Sequence, residues 1–191
     1  MRALDRIHWS LRSLLVGTLV VLAACWGGSD ERSQATLSLS ETAEGTSQEV
    51  MTAPDFALED IDGGTVRLSE FAGRVMLVDF WATWCAPCRE EIPMFKELHE
   101  EYGPQGFTLL AISMDEQGSE VVRPFVEELE IPYQNLIGND EVAQEFGGIW
   151  GFPTAFLLDR EGRIVKTFVG AKPRKVLEQM IRDLLDPDVA A

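Results

Sequence analysis

The chain has 191 residues, of which 46% are hydrophobic and 25% charged, and its formal net charge is −16. This length and composition fit one globular domain with additional segments. A net charge so far below zero argues against binding to nucleic acid and against charge-driven attachment to anionic lipid. The acidic residues are spread along the chain, which favours a role in solubility over a role as an acidic interaction tail.

The first 24 residues predict a secretory signal peptide. Arg2, Arg6 and Arg12 form a basic start, and residues 14–24 form an apolar run. As a helix, this run would span roughly 17 Å, which is too short for the ~30 Å hydrocarbon core of a bilayer. A short apolar run behind a basic start is typical of a signal peptide. An uncleaved and unusually short membrane anchor is the alternative.

Cys25 follows the small residues Ala23 and Ala24, an arrangement that resembles a bacterial lipoprotein signal. By that resemblance, Cys25 would be acylated, would become the new N-terminus and would anchor the protein to a membrane. Signal cleavage nearby, with Cys25 left as a stray thiol, is the alternative. An Asp directly after the cysteine would favour retention in the inner membrane of Gram-negative bacteria. This chain has Trp26 there, so the outer membrane is also a possible location.

Residues 26–52 consist mostly of Ser, Thr, Gly, Glu and Gln. Such a composition cannot bury enough apolar surface to fold, and it predicts a flexible tether. A coil of this length has an average reach of roughly 30 Å. We therefore expect residues 25–52 to link a lipid anchor to a folded domain at residues 53–191.

The folded part alternates between predicted strands and helices. A β-hairpin is predicted over 56–67, because apolar residues alternate on both sides of an Asp-Gly-Gly turn at 62–64. Residues 69–73 predict a turn or a single helical turn. Further strands are predicted at 75–82, 107–113, 154–158 and 164–169. Helices are predicted at 86–102, 119–130, 140–146, with Asn139 as its cap, and 173–185, with Val176, Leu177, Met180, Ile181 and Leu184 facing inward. This order predicts an α/β sandwich.

Two cysteines lie where the strand at 75–82 is followed by the helix at 86–102. Unpaired N–H groups and the positive end of the helix dipole stabilise a thiolate at this position. The pKa of Cys85 is therefore expected to lie below its free value of ~8.5. Cys88, one turn further on, lies on the same helical face and can close a disulfide with Cys85. Pro87 lacks an N–H, which costs nothing at a helix start.

Three other interpretations of the cysteine pair compete with redox catalysis. A structural disulfide would gain little, about 2 kcal/mol, from closing so small a loop. A zinc site needs four ligands, and beyond the pair the mature chain offers only His99, otherwise expected on a helix surface, as a soft ligand. Buried, inert thiols fit poorly with the helix-start position and the flanking tryptophans. Redox catalysis is therefore favoured.

Residues 78–88, Val-Asp-Phe-Trp-Ala-Thr-Trp-Cys-Ala-Pro-Cys, resemble the active-site segment of thioredoxin-fold proteins. Residues 151–154, Gly-Phe-Pro-Thr, resemble the cis-proline loop of that fold. Residues 53–56 and 85–93 are similar to the membrane-tethered bacterial branch of TlpA/ResA/DsbE-like thiol–disulfide oxidoreductases. The resemblance implies a thioredoxin-like, three-layer α/β/α sandwich with a central mixed sheet and an N-terminal β-hairpin.

Asp79 and Glu91 are the candidate acid–base groups. Asp79 lies in a strand predicted to be buried, where desolvation should raise its pKa. By resemblance to thioredoxin, Asp79 would relay a proton to or from Cys88, although many tethered relatives carry Asn there. Glu91 matches the Glu that the tethered branch carries three residues after its second cysteine. The alternatives are an Asp79 that faces water at the strand edge and an ordinary solvated Glu91.

The resemblance also implies a substrate-binding surface around the cysteines. The peptide bond before Pro153 would be cis, which is rare even for proline, and the backbone at Phe152 would pair with an extended partner chain. Trp84 would supply apolar contact around an exposed Cys85 sulfur. The residues assigned to this surface are Trp84, Pro87, Phe152 and Pro153, with Trp81 and Trp150 as further candidates for which core packing is the alternative.

These residues predict a thiol–disulfide oxidoreductase whose only cofactor is its own cysteine pair, without metal or nucleotide. Cys85 would attack a disulfide, and Cys88, deprotonated with help from Asp79 or Glu91, would resolve the mixed disulfide. The resemblance favours a reductant of exported proteins such as apocytochrome c, bound to the bacterial cell envelope and facing the periplasm or the exterior. Such a reductant needs an electron donor in the membrane.

Three alternatives to this function stay open. A thiol peroxidase of the same fold would carry Thr three residues before the reactive cysteine, where this chain has Ala82, with Thr83 one place off. A copper-delivery protein of this fold would use a C-x-x-x-C pair and a distant His. A redox-silent binding lipoprotein has no positive feature in its favour.

Overall fold

A computed structural model describes residues 51–186 of the chain. The predicted signal peptide at 1–24, the lipidation site Cys25 and almost all of the linker at 25–52 lie outside the described residues. They stay predictions.

The described residues form a seven-stranded sheet with helices on both faces, and this confirms the predicted α/β sandwich with a mixed sheet and an N-terminal hairpin. The strands are β1 Ala57–Asp60, β2 Thr65–Arg67, β3 Val75–Trp81, β4 Phe107–Ser113, β5 Gln134–Ile137, β6 Thr154–Leu158 and β7 Ile164–Val169. The helices are α1 Ala86–Tyr102, α2 Ser119–Glu128, α3 Asp140–Glu145 and α4 Arg174–Leu185, with short 3₁₀ helices at Leu68–Phe71 and Gly103–Gln105.

The strand order is β2-β1-β5-β4-β3-β6-β7, in which β3–β4 and β4–β5 are parallel and the other neighbours antiparallel. Successive side chains of the central strand β3 point to opposite faces of the sheet. Leu77 and Trp81 pack in the cluster that holds α1, α2 and α4, whereas Val78 and Phe80 pack in the cluster that holds α3 and the first 3₁₀ helix. Asp79 therefore points toward the α1 side.

Most predicted elements are confirmed to within two residues, including the cap of α3, where Asn139 Oδ1 accepts a hydrogen bond from the Val142 N–H at 2.9 Å. The strand β5 has no counterpart in the sequence prediction. It is four residues long and begins with Gln134 and Asn135, so it has little apolar pattern. It pairs with both β4 and β1 and so joins the N-terminal hairpin to the sheet.

The prediction that Val176 faces inward is wrong, because its side chain is exposed. The buried stripe of α4 is centred on Leu177 and Ile181, with Leu184 half-buried. Val176 lies about 100° around the helix from Leu177 and so falls outside this stripe.

The start of the described chain is held by the turn between β6 and β7. The Ala53 N–H donates to the carbonyl of Gly162 at 2.9 Å, and the Ile164 N–H donates to the carbonyl of Met51 at 2.8 Å. Between residues 51 and 186, no helix combines the length and the hydropathy that crossing a bilayer requires.

Candidate active site

The two cysteines lie at the junction of β3 and α1, as predicted, and they form a disulfide with a Cα–Cα distance of 5.3 Å. Cys85 is the N-cap of α1, and its Sγ accepts a hydrogen bond from the Cys88 N–H at 3.3 Å. An otherwise unpaired N–H of the first helical turn therefore points at this sulfur. The same N–H and the helix dipole would stabilise a Cys85 thiolate after reduction.

An aromatic contact joins the cysteine segment to the cis-proline loop. The Phe152–Pro153 peptide bond is cis, which confirms that prediction. Trp84 is 67% exposed, and its ring meets that of Phe152 edge-on at 5.7 Å between centroids. Cys85, predicted to expose its sulfur, is only 5% exposed as a residue.

The other candidate surface residues separate into two groups. Trp81 is buried and packs on Phe125, with 5.5 Å between ring centroids, so it belongs to the core. Trp150 is 95% exposed, and Pro87 is exposed beside the cysteines. His99 lies three turns of α1 beyond Cys88, roughly 16 Å along the axis, and so cannot share a zinc site with the cysteine pair.

Asp79 is buried, so the alternative in which it faces water at a strand edge is wrong. It lines one small internal cavity together with Cys88 and Tyr133. The pKa of Asp79 is raised from 3.8 to about 7, mainly by burial; the Lys172 ammonium opposes this shift and the charge of Glu91 adds to it. Asp79 can therefore hold or release a proton near neutral pH, next to the second cysteine.

Glu91 is buried as well, which contradicts the alternative of a solvated helix residue. Its partner is Lys172, a residue that the sequence interpretation missed. Lys172 lies between β7 and α4, and its side chain is 1% exposed. Its Nζ lies 3.2 Å from Glu91 Oε2 and 3.4 Å from Asp79 Oδ1, and its backbone N–H donates to Glu91 Oε1 at 2.7 Å. No local sequence pattern marks this lysine. The one signal in the sequence is indirect: a buried Asp79 requires a partner that compensates its charge.

Asp115 is a second missed residue, and it fixes the loop that precedes the cysteines. Its carboxylate accepts hydrogen bonds from the Thr83 N–H at 2.9 Å, from Thr83 Oγ1 at 2.6 Å and from Ser113 Oγ at 2.7 Å. Asp115 is buried and follows β4, which pairs in parallel with β3 so that Ser113 lies opposite Trp81. That parallel pairing brings the end of β4 beside the end of β3 and so places Asp115 next to the loop that precedes the cysteines.

No cluster of three His, Cys, Asp or Glu side chains within residues 51–186 is arranged to hold a metal ion. The arrangement consists instead of a reversible disulfide at a helix start, an apolar rim and buried carboxylates paired with one lysine. Such a site can exchange thiols and disulfides and can move one proton per exchange.

Comparison with known proteins agrees with this chemistry. The model of the AhpC/TSA family matches residues 51–167. Thiol-disulfide oxidoreductase ResA of Geobacillus thermodenitrificans is 32% identical over 133 residues, which cover 70% of this chain and 76% of the relative. The thioredoxin-like protein YneN of Bacillus subtilis is 32% identical, with coverage of 70% of this chain and 79% of that protein.

Solved structures show the same relationship. A DsbE-type thiol:disulfide interchange protein from Chlorobium tepidum superposes with a TM-score of 0.67 at 32% identity and covers 72% of this chain and 97% of its own. The exposed lipoprotein thioredoxin of Streptococcus pneumoniae gives a TM-score of 0.61 at 26% identity, covering 69% of this chain and 100% of its own. The chain therefore belongs to the AhpC/TSA family of thioredoxin fold, and within it to the ResA- and DsbE-like thiol–disulfide oxidoreductases.

Proposed function

We propose that this protein is an exported, membrane-tethered oxidoreductase that uses Cys85 and Cys88 to reduce disulfides in other exported proteins. The observation that carries the proposal is the position of Cys85, whose sulfur caps α1 and accepts the Cys88 N–H. In the reduced protein this position stabilises the Cys85 thiolate, and after each turnover Cys85 is again bonded to Cys88 as a disulfide.

The exchange proceeds in two steps. The Cys85 thiolate attacks one sulfur of the partner's disulfide, and the other sulfur leaves as a thiolate. Cys88 then loses its proton to a buried carboxylate and attacks the Cys85 sulfur, which breaks the mixed disulfide and releases the second partner thiolate. Two electrons have passed to the partner, and Cys85 and Cys88 end as a disulfide. A donor of two electrons in the membrane then restores the dithiol.

The apolar rim provides the partner's binding surface. Trp84 and Pro87 are exposed and Phe152 is half-exposed, so all three can contact a bound chain. Phe152 lies immediately before Pro153 and outside the β6 ladder, which begins at Thr154. Its backbone is therefore placed to pair with an extended segment of the partner. Exported apocytochrome c, a substrate suggested by the likeness to the TlpA/ResA/DsbE-like branch, is one candidate.

The thiol-peroxidase alternative receives no support from the site. Thr83 is the hydroxyl residue nearest in sequence to the required position, and its Oγ1 donates to Asp115 at 2.6 Å. That bond commits the hydroxyl proton to a structural contact. The likeness to thiol–disulfide oxidoreductases also argues against a redox-silent binding protein.

Redox titration of the full chain against dithiothreitol buffers tests the direction of the reaction. We expect one cooperative two-electron transition of the Cys85–Cys88 pair near the potential of thioredoxin, about −270 mV. Tryptophan fluorescence follows the transition because Trp84 adjoins Cys85. A potential near that of a strong oxidant, about −120 mV, would contradict the reductant, and the absence of any reversible transition would contradict redox function altogether.

Replacement of Cys25 tests the tether. The wild-type protein expressed in a bacterium is expected in the membrane fraction, whereas Cys25→Ser is expected to lose its lipid chains and to leave that fraction. Cys85→Ser serves as the matched control and should stay with the membrane. Mass spectrometry of the mature N-terminus provides the second measurement, and an unmodified Cys25 in a membrane-free protein would reject the lipoprotein assignment.

A further inference from the structure

Beneath the disulfide, one buried cation faces two buried carboxylates. Lys172 comes from the β7–α4 connection, Asp79 from β3 and Glu91 from α1, and each of the three residues is at most 6% exposed. Buried charges that water does not solvate must be compensated by each other. A single ammonium can compensate only one carboxylate fully, so the other takes up a proton more readily.

The contacts show which carboxylate Lys172 compensates. Glu91 receives the Lys172 backbone N–H at 2.7 Å and the Nζ at 3.2 and 3.5 Å from its two oxygens. Asp79 receives a single contact from Lys172, from Nζ to Oδ1 at 3.4 Å. Asp79, in contrast to Glu91, lines the small cavity that also contacts Cys88. The carboxylate nearer the chemistry is thus the less compensated one.

We propose that Lys172 is a positioning residue of the exchange reaction, which neutralises Glu91 and so leaves Asp79 to accept the proton of Cys88. The proposal rests on the two-step exchange by Cys85 and Cys88 described above. The Cys88 S–H gives its proton to the Asp79 carboxylate, the new thiolate attacks the Cys85 sulfur, and the bond between Cys85 and the partner sulfur breaks. When the donor reduces the Cys85–Cys88 disulfide, the proton on Asp79 returns to the Cys88 sulfur.

The other groups around Lys172 do not compete for this proton. The Phe95 ring lies 5.7 Å from the ammonium and stabilises its charge. Burial and the two carboxylates raise the pKa of Tyr133 far above its usual range, so its hydroxyl stays protonated. Burial is the largest cause of the raised pKa of Asp79. The effects of the two charged neighbours agree with the proposal, since Lys172 lowers this pKa and Glu91 raises it.

The test uses dithiobis(nitrobenzoate) as the partner and the reduced full chain, with Cys25 replaced by Ser in every variant. Attack by Cys85 releases the first coloured thiolate, and attack by Cys88 releases the second, so the two steps are resolved in one stopped-flow trace. The pH dependence of the second release reports on the proton acceptor. Glu90→Gln, which removes an exposed carboxylate of the same helix, is the matched control.

Lys172→Met is expected to move the acid limb of the second release upward by at least about one pH unit, which makes the release about tenfold slower at any pH on that limb. The first release should change little, and Lys172→Arg should restore the wild-type profile. Glu91→Gln should move the same limb downward, because Asp79 then has the ammonium to itself. If Glu91 itself accepted the proton, Glu91→Gln would slow the second release instead.

A double-mutant cycle separates this role from a merely structural one. In the Asp79→Asn background, Lys172→Met should have no further effect on the second release, because the acceptor is already absent. Additive effects, or an unchanged pH profile in Lys172→Met, would overturn the proposal. Loss of the first release in the wild type would instead reject the assignment of Cys85, so the two failures are distinguishable.

Discussion

Cys85→Ser is expected to lower the rate of disulfide reduction by more than about a thousandfold, because a serine hydroxyl is not ionised at neutral pH and cannot form a mixed disulfide. The structure gives Cys85 its role through the α1 N-cap position, where the Cys88 N–H points at its sulfur. Reduction of insulin by the full chain, with dithiothreitol as donor, measures the loss.

Cys88→Ser should fail differently. Cys85 would still attack, but nothing would resolve the mixed disulfide, so the variant should accumulate as a covalent adduct with its partner. Mass spectrometry of the adduct before and after reduction locates the bond. An adduct on Cys88 in the Cys85→Ser variant, or turnover by that variant, would reverse the assignment of the attacking and resolving cysteines.

Asp79→Asn is expected to stabilise the oxidised protein above neutral pH by up to about 4 kcal/mol. Burial is the main reason that the pKa of Asp79 is raised from 3.8 to about 7. Between these two values the folded protein holds a proton that the unfolded chain releases. The stabilising contribution is therefore complete below about pH 4 and is lost as the pH rises through about 7.

Urea unfolding of the oxidised protein across this pH range measures the effect. The difference in the free energy of unfolding between Asp79→Asn and wild type should grow as the pH rises and become constant above about pH 8. Lys172 keeps Glu91 as its partner in this variant, so no buried cation is left unpaired. The exposed Glu90→Gln variant should show no such pH-dependent difference. A gain that is independent of pH would contradict the assignment to Asp79.

The elements with strong periodic patterns were predictable, because the local sequence determines them. The bounds of α1, β4, β6 and β7 agree with the sequence patterns to the residue. The strand β5 was not predictable in this way, because its ladder partners β1 and β4 supply the hydrogen bonds that its short polar sequence does not demand. Tertiary pairing outweighs local propensity in such strands.

The residues of the site likewise include some that a local motif predicts and others that only the fold brings together. Cys85 and Cys88 follow from a local motif at a strand–helix junction, and the cis peptide bond at Pro153 follows from a family resemblance. Lys172 lies 81 residues along the chain from Glu91 and 93 from Asp79, so only the folded sheet brings the three together. The sequence indicated that Asp79 needs a partner, but it held no signal for which cation would supply the charge.

The N-terminal segment of the described chain is attached to the β6–β7 turn, at the end of the sheet opposite the cysteines. Leu158, the last residue of β6, pairs with Met76 near the start of β3, whereas the cysteines follow the end of β3. Seven strand residues, roughly 20 Å, therefore separate the pole where the chain enters the domain from the pole that carries the disulfide. The attachment of the incoming chain therefore leaves the disulfide pole uncovered, so that a partner protein can approach it without passing the N-terminal segment at 51–53.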